Sequence, residues 1–156
     1  MAPQSIPEIF IDADACPVKD EVYRVAARYG LKTWVVCNAF MMIPQNPRIE
    51  RVIVDAGPNV ADDWIAERAK AGDIVITNDI PLAERALDKG AAAIAANGRG
   101  FTRNSIGAAI AQRALMEQLR STGDFMGGPK PFDRNDRSRF LQALDEAVNK
   151  ALRARR

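Results

Sequence analysis

Five aspartates stand where this chain could do chemistry. Asp12 and Asp14 close the apolar run EIFIDAD, Asp62 and Asp63 are neighbours in NVADDW, and Asp79 follows Thr77 and Asn78 in DIVITND. Asp55 ends another apolar stretch, RVIVD. Histidine is absent from the whole chain. That removes Ser-His-Asp and Cys-His catalysis, His-ligated zinc and imidazole acid–base chemistry. Carboxylates, hydroxyls, lysine, thiol and metal-bound water remain. Four or more carboxylates within about 10 Å would raise one another's pKa strongly. A hard cation relieves the repulsion, and Mg²⁺ or Mn²⁺ commonly uses a few carboxylates together with waters and substrate phosphates. Such a site can activate water and steady the leaving oxygen of a phosphodiester. On this reading Asp12, Asp14 and Asp79 bind the metal, and Asp62 or Asp63 completes the shell or orients water. Thr77 and Asn78 hold these ligands in place on the substrate side, while Arg99, Arg103 and Lys130 meet phosphates. A blander account competes for some of them: an aspartate in the first turn of a helix often caps it or meets its dipole, which would cover Asp62 or Asp63. Asp55 before Ala-Gly-Pro would start a turn.

These acids act together only if the fold gathers them. Glu8–Asp14 reads as a buried strand, followed by a helix opened by Pro17 and stopped at Gly30, with Val18, Val22, Val25 and Ala26 as its apolar stripe. LKTWVVC (Leu31–Cys37) is a second strand, Arg51–Val54 a third, Asp73–Thr77 a fourth and Ala91–Ala96 a weak fifth. Helices are expected over about Val60–Lys70, capped by Asn59, and over Ile80–Lys89, ended by Gly90. The alternation predicts an α/β fold with a mostly parallel central sheet, Rossmann-like and three-layered, with additional C-terminal helices. The connection between the second and third strands is short for a helical crossover, so that pair is expected to be antiparallel. In a parallel sheet all strands end at one edge, where ligands bind. The topology therefore sends Asp12, Asp14, Asp55, Asp62, Asp63 and Asp79 to the same place.

Further on, Arg103–Arg120 reads as a helix, Gly123–Asp136 as a Gly/Pro-rich loop and Ser138–Arg156 as a basic final helix. Residues 1–156 are expected to form one α/β domain, with 98–156 a basic helical extension packed on it. Residues 1–96 carry 10 basic and 14 acidic side chains, −4, whereas 97–156 carry 12 basic and 6 acidic, +6. An acidic front beside a basic back suits a metal site facing phosphates, although solvated helix surfaces would show the same counts. No apolar run reaches the length of a membrane helix, and MAPQSIPEIF lacks signal-peptide features, so a cytoplasmic location is expected. Cys16 and Cys37 are too few for a disulfide scaffold. Cys16 at a helix entrance would have a lowered pKa, yet no base accompanies it. Phe40, Met41 and Met42 either pack under the sheet or are exposed, and exposure would suit a homodimer contact.

FIDADACPVKDEVYRVAARY, VDAGPNVADDWIAE, DIVITNDIPLAERAL, NGRGFTRNSIG and GGPKPFDRNDRSRFLQALD, in that order, closely resemble the YaiI/YqxD family of bacterial proteins, related to the PIN-like nuclease superfamily. The resemblance runs from Ile9 to about Leu144. It implies a PIN-like domain with an acidic, Mg²⁺- or Mn²⁺-dependent ribonuclease site, and hence RNA as partner. In PIN proteins one aspartate ends the first strand, which matches Asp12, and another lies in a Thr-x-Asp segment, which matches Thr77 and Asp79. The intermediate acid is usually a helical glutamate, for which Asp62 or Asp63 would stand in. Asp14 and the basic C-terminal helices depart from the minimal PIN pattern.

Two other classes fit some of the same residues. Asp12-Ala13-Asp14 followed later by Thr77 resembles a haloacid-dehalogenase-like phosphatase, with Asp12 as nucleophile and Asp14 as acid–base. Its late acidic pair is missing, since Asp62–Asp63 precedes Thr77. A non-catalytic RNA- or nucleotide-binding protein would use Arg99, Arg103 and the loop containing Lys130, and keep the acids for a structural ion.

Overall fold

The structure is a computed structural model that describes residues 6–14, 16–122 and 132–154, with 120–122 described by backbone alone. Strands β1 (Ile9–Asp12), β2 (Thr33–Cys37), β3 (Ile49–Ile53), β4 (Ile74–Ile76) and β5 (Ala92–Ile94) form one sheet in the order β3-β2-β1-β4-β5. Every neighbouring pair is parallel. Five helices are described: α1 (Lys19–Tyr29), α2 (Val60–Arg68), α3 (Ile80–Asp88), α4 (Arg103–Thr122) and α5 (Arg134–Arg153). This is the three-layer α/β arrangement expected from the alternation of strands and helices.

Side chains alternate across a strand, and here the alternation builds two cores. Ile9, Ile11, Val35, Cys37, Ile74 and Ile76 point to the side covered by α1 and α5. Phe10, Val36 and Val75 point to the other, covered by α2, α3 and the start of α4. Central strands buried on both faces read as continuous apolar runs, which is why IFI and IVI were legible. The α1 stripe Val18, Val22, Val25 and Ala26 is buried as expected, and Gly30 ends the helix with φ 66°. On α5, Phe140, Leu144 and Val148 repeat every fourth residue and are all fully buried in the first core. Tyr29 Oη donates to Asp145 Oδ1 at 2.7 Å, which ties α1 to α5.

Several expectations need correction. The β2–β3 pair is parallel, with Thr33 opposite Ile49. The connecting residues 38–48 could extend to about 36 Å, and a five-residue strand is only about 17 Å long. The chain can therefore return along β2 without a helix. Helix α5 starts four residues earlier than read, at Arg134, behind a reciprocal cap: Asp136 N donates to Asp133 Oδ1 (2.8 Å) and Asp133 N to Asp136 Oδ2 (3.0 Å). Asn59 does precede α2, but in the left-handed region at φ 71° and without a side-chain capping bond. Strand β1 ends at Asp12, so Asp14 lies in the following turn. In the β2–β3 loop Phe40 and Met42 are exposed (65% and 81%), while Met41 packs against the first core. No helix among the described residues is long and apolar enough to cross a membrane.

Candidate active site

The strand order reverses between β1 and β4: from β1 the chain works outward through β2 and β3, then returns to β4 and β5 on the other side. Such a reversal opens a crevice at the carboxyl ends of the two central strands, the usual ligand position in open α/β sheets. Asp12 ends β1, and Thr77-Asn78-Asp79 follows β4 directly.

Register then decides what touches what. Ile11 is paired with Ile76, so the next residues, Asp12 and Thr77, are neighbours on the α2–α3 face. Thr77 Oγ1 donates to Asp12 Oδ2 at 2.8 Å and accepts from Asp79 N at 2.9 Å. One nearly buried hydroxyl thus locks both carboxylate-bearing segments. Asp79 is also the N-cap of α3, where Oδ1 accepts from Leu82 N at 3.3 Å. Asn78 Oδ1 accepts from Ala96 N at 2.9 Å and fixes the loop to the end of β5. A cleft of about 120 Å³ opens between these segments, lined by Asp12, Asp14, Cys16, Thr77, Asn78 and Asp79 with Ile76 and Ala96. At about 30 Å³ per water, it has room for a hydrated ion and not for a whole nucleotide.

The two neighbouring acids of α2 part company. Asp62 lies three residues before Ile65 and four before Ala66, both buried, and so faces the sheet. Asp63 faces outward and forms an exposed ion pair with Arg85 at 2.7 Å. Trp64 anchors this turn of α2 by packing on Trp34 and Phe10, with ring centroids 5.7 and 6.2 Å apart. The helical spacing of Ile65 and Ala66 was the sequence signal that could have separated Asp62 from Asp63.

The electrostatics follow from this crowding. Burial is the main force pushing the Asp62 carboxyl up to about 7; a hydrogen bond shared with Asp79 and the charges of Asp79 and Asp12 add to it, and Arg85 offsets part. Burial also raises Asp12, partly countered by the Thr77 hydroxyl, with Asp79 and Asp14 adding to the rise. Asp14 lines the cleft, but its Oδ2 accepts from Asn38 N at 3.0 Å and is drawn toward the end of β2. Among the described residues, no three or more acidic or thiol side chains converge as a ready-made metal cage. Asp12, Asp14 and Asp79 are brought to one cleft without closing on a common point, because the Thr77, Leu82 and Asn38 bonds orient each separately. Asp55 is exposed after β3, two strands from Asp12.

The other expected residues scatter. Arg103 pairs with Asp88 at 2.7 Å and is held at the far end of α3. Arg99 has no ion-pair partner among the described residues and borders a second cleft that also includes Asn78. Lys130 lies outside the described residues. Burial pushes the Cys16 thiol up, the reverse of the lowering expected at a helix entrance. Phe101 and Gln112, which line the second cleft, were not singled out from sequence. An aromatic directly after Gly-Arg-Gly at the ligand edge was the available signal.

A family model described as "Uncharacterized BCR, YaiI/YqxD family" matches residues 10–150. The chain belongs to the YaiI/YqxD family. Among curated relatives, a UPF0178 protein of Caulobacter sp. (strain K31) is 63% identical over 145 residues, spanning 93% of this chain and 96% of the relative. A UPF0178 protein of Rhodopseudomonas palustris (strain TIE-1) is 56% identical over 151 residues, 97% of this chain and 96% of its own. One from Parvibaculum lavamentivorans is 57% identical over 148 residues, 95% and 97% respectively. No solved structure matches the chain. The match to the YaiI/YqxD model contains Asp12, Asp62, Thr77 and Asp79 together with most of the C-terminal helix that covers the first core.

Proposed function

We propose that this YaiI/YqxD protein is a Mg²⁺- or Mn²⁺-dependent phosphodiester hydrolase acting on RNA, with Asp12, Asp62 and Asp79 as its working carboxylates. The observation that carries the reading is that Asp62 is crowded against Asp79 and Asp12 at the switch point of the sheet, with its carboxyl pushed up to about 7. Carboxylates from three distant segments repel one another there, and a divalent cation is the usual replacement for the proton that quiets them. Mg²⁺ often takes only one or two protein carboxylates and completes its shell with waters and substrate phosphate. An incomplete set facing a small cleft fits that habit.

When bound, the cation would supply charge neutralisation at the phosphate and a more acidic water. The chain's own contribution is positioning. Thr77 holds Asp12 through its hydroxyl and Asp79 through the backbone. Asp62 can accept a proton near neutral pH at the edge of the site. Arg99, beside the neighbouring cleft and without an ion-pair partner among the described residues, can meet a phosphate oxygen. RNA is taken from the PIN-like resemblance, and the charge of +6 on residues 97–156 is consistent with a polyanion.

The test is titration of Mn²⁺ and Mg²⁺ into chelator-stripped protein, followed by oligoribonucleotide cleavage. Wild type should bind and cut, and Asp12→Asn should do neither while keeping its fold. If wild type recruits no metal even with a non-cleavable oligonucleotide present, the hydrolase reading is wrong and a binding protein is left.

A further inference from the structure

We propose that the second cleft, on the β5 side of Asn78, is a nucleoside subsite that seats one nucleotide with its phosphate toward the acidic cleft. The inference rests on the phosphodiester reading above and names what that site would hold. The cleft encloses about 340 Å³, nearly three times the acidic one and at the lower end of the about 300–1,000 Å³ typical of small-molecule pockets. It is too large for an ion and suits a single nucleoside.

Its lining fits that ligand. Among the described residues no carboxylate borders it, and the one charged side chain is Arg99. Phe101, half-buried against the second core, supplies an aromatic surface at its wall, and bases stack on such side chains without strict sequence preference. Three amides surround it. Asn78 and Asn97 each have their oxygen engaged, by Ala96 N and Arg99 N at 2.9 and 3.0 Å. Their NH₂ groups have no partner among the described residues and remain free to donate. Gln112, on the exposed face of α4, brings a donor and an acceptor suited to a base edge. Asn78 belongs to both clefts, so a ligand spanning them places its phosphate at the wall they share.

The wall is built to hold its shape. After β5 the chain folds back on itself: Ala95 N donates to Arg99 O (2.9 Å), Phe101 N donates to Ala93 O (2.8 Å), and Gly100 bridges antiparallel to Ile94. The turn is pinned at Gly98, where φ is 91° and an added Cβ would lie 2.7 Å from the backbone carbon of Arg139 in α5. Arg99 and Phe101 are therefore presented by a framed hairpin, and such pre-organisation lowers the cost of binding.

The experiment is calorimetric titration of 5′-AMP, 5′-GMP, 5′-CMP and 5′-UMP, with inorganic phosphate as a control, into full-length protein kept free of divalent metal. Saturable binding of at least one mononucleotide, tighter than phosphate, is expected. Phe101→Leu, which keeps the apolar contact, should weaken it about tenfold. Gln112→Ala, which cannot disturb the core, should weaken it severalfold, and Asp12→Asn should leave it intact or tighter. A pentanucleotide binding more tightly than any mononucleotide identifies nucleic acid as the source, whereas equal affinity identifies a free nucleotide. Failure of all four to saturate, or affinities untouched by both Phe101→Leu and Gln112→Ala, overturns the subsite. Binding here without Mn²⁺-dependent cleavage would instead overturn the hydrolase reading and leave the subsite standing.

Discussion

Replacing Asp62 by asparagine should make the metal-free protein more stable at pH 8, an unusual result for the loss of a working residue. The amide would keep the shape of the side chain and donate a hydrogen bond to Asp79 without ever carrying charge. In wild type the carboxyl ionises near pH 7 when folded, against an ordinary value of 3.8. The unfolded chain thus releases its proton first, and stability falls as pH rises from about 4 to about 7, then levels off. A shift of this size would correspond to about 4 kcal/mol if fully expressed. Water reaches Asp62, and screening reduces the penalty to about 1–2 kcal/mol. For a chain of this length each kcal/mol moves Tm by about 2–4 °C.

Thermal unfolding of wild type and Asp62→Asn in chelator, at intervals from pH 4 to pH 8, reads the difference directly. The two curves should coincide near pH 4, separate up to about pH 7 and stay apart at pH 8, with the variant higher. Mn²⁺ should then reverse the order at pH 8. At a hundred times its dissociation constant a ligand adds about 2.7 kcal/mol to the state that binds it, and only wild type retains the full carboxylate set. A difference between the two proteins that does not change with pH would refute the crowding of Asp62 against Asp79 and Asp12. A difference that grows with pH and is unmoved by Mn²⁺ would keep the crowding and remove the metal.

Other residues offer independent checks. Thr77→Val should cost about 1–3 kcal/mol in denaturant unfolding, since it leaves Asp79 N–H and Asp12 without their shared hydroxyl, and it should lower any Mn²⁺ affinity with the fold intact by circular dichroism. Phe140→Ala should cost about 3–5 kcal/mol, because this fully buried ring carries α5 into the first core; a small loss would mean that α5 is peripheral. Gly98→Ala should destabilise by more than about 1 kcal/mol and disturb the amide resonances of residues 97–101, since both φ and the Arg139 backbone oppose a Cβ.

Local chemistry explains which parts of this protein could be read before folding. IFI and IVI are apolar on both faces, α1 carries a clean stripe ended by Gly30, and the carboxylates follow the strands directly, so a parallel sheet with acids at one edge was legible. The final helix was read only as basic, without the buried recurrence of Phe140, Leu144 and Val148, and its start was hidden because Asp133 and Asp136 cap each other in a segment rich in Gly and Pro. The direction of β3 was misread because loop length bounds where a strand can go without dictating its sense, and residues 38–48 are long enough for either.

What the sequence determined by itself was the supply of chemistry: no imidazole, five well-placed aspartates, and strands that send them to a common edge. Tertiary structure decided which of them meet. Asp62 and Asp63 are adjacent in the chain, yet one turns to Asp79 and the other to Arg85, because a helix rotates its side chains by about 100° per residue and Trp64 fixes the rotation against the sheet. The charge state of Asp62 was decided there too. Burial and repulsion depend on distances through space, and Asp12, Asp62 and Asp79 become neighbours only when β1 and β4 lie side by side.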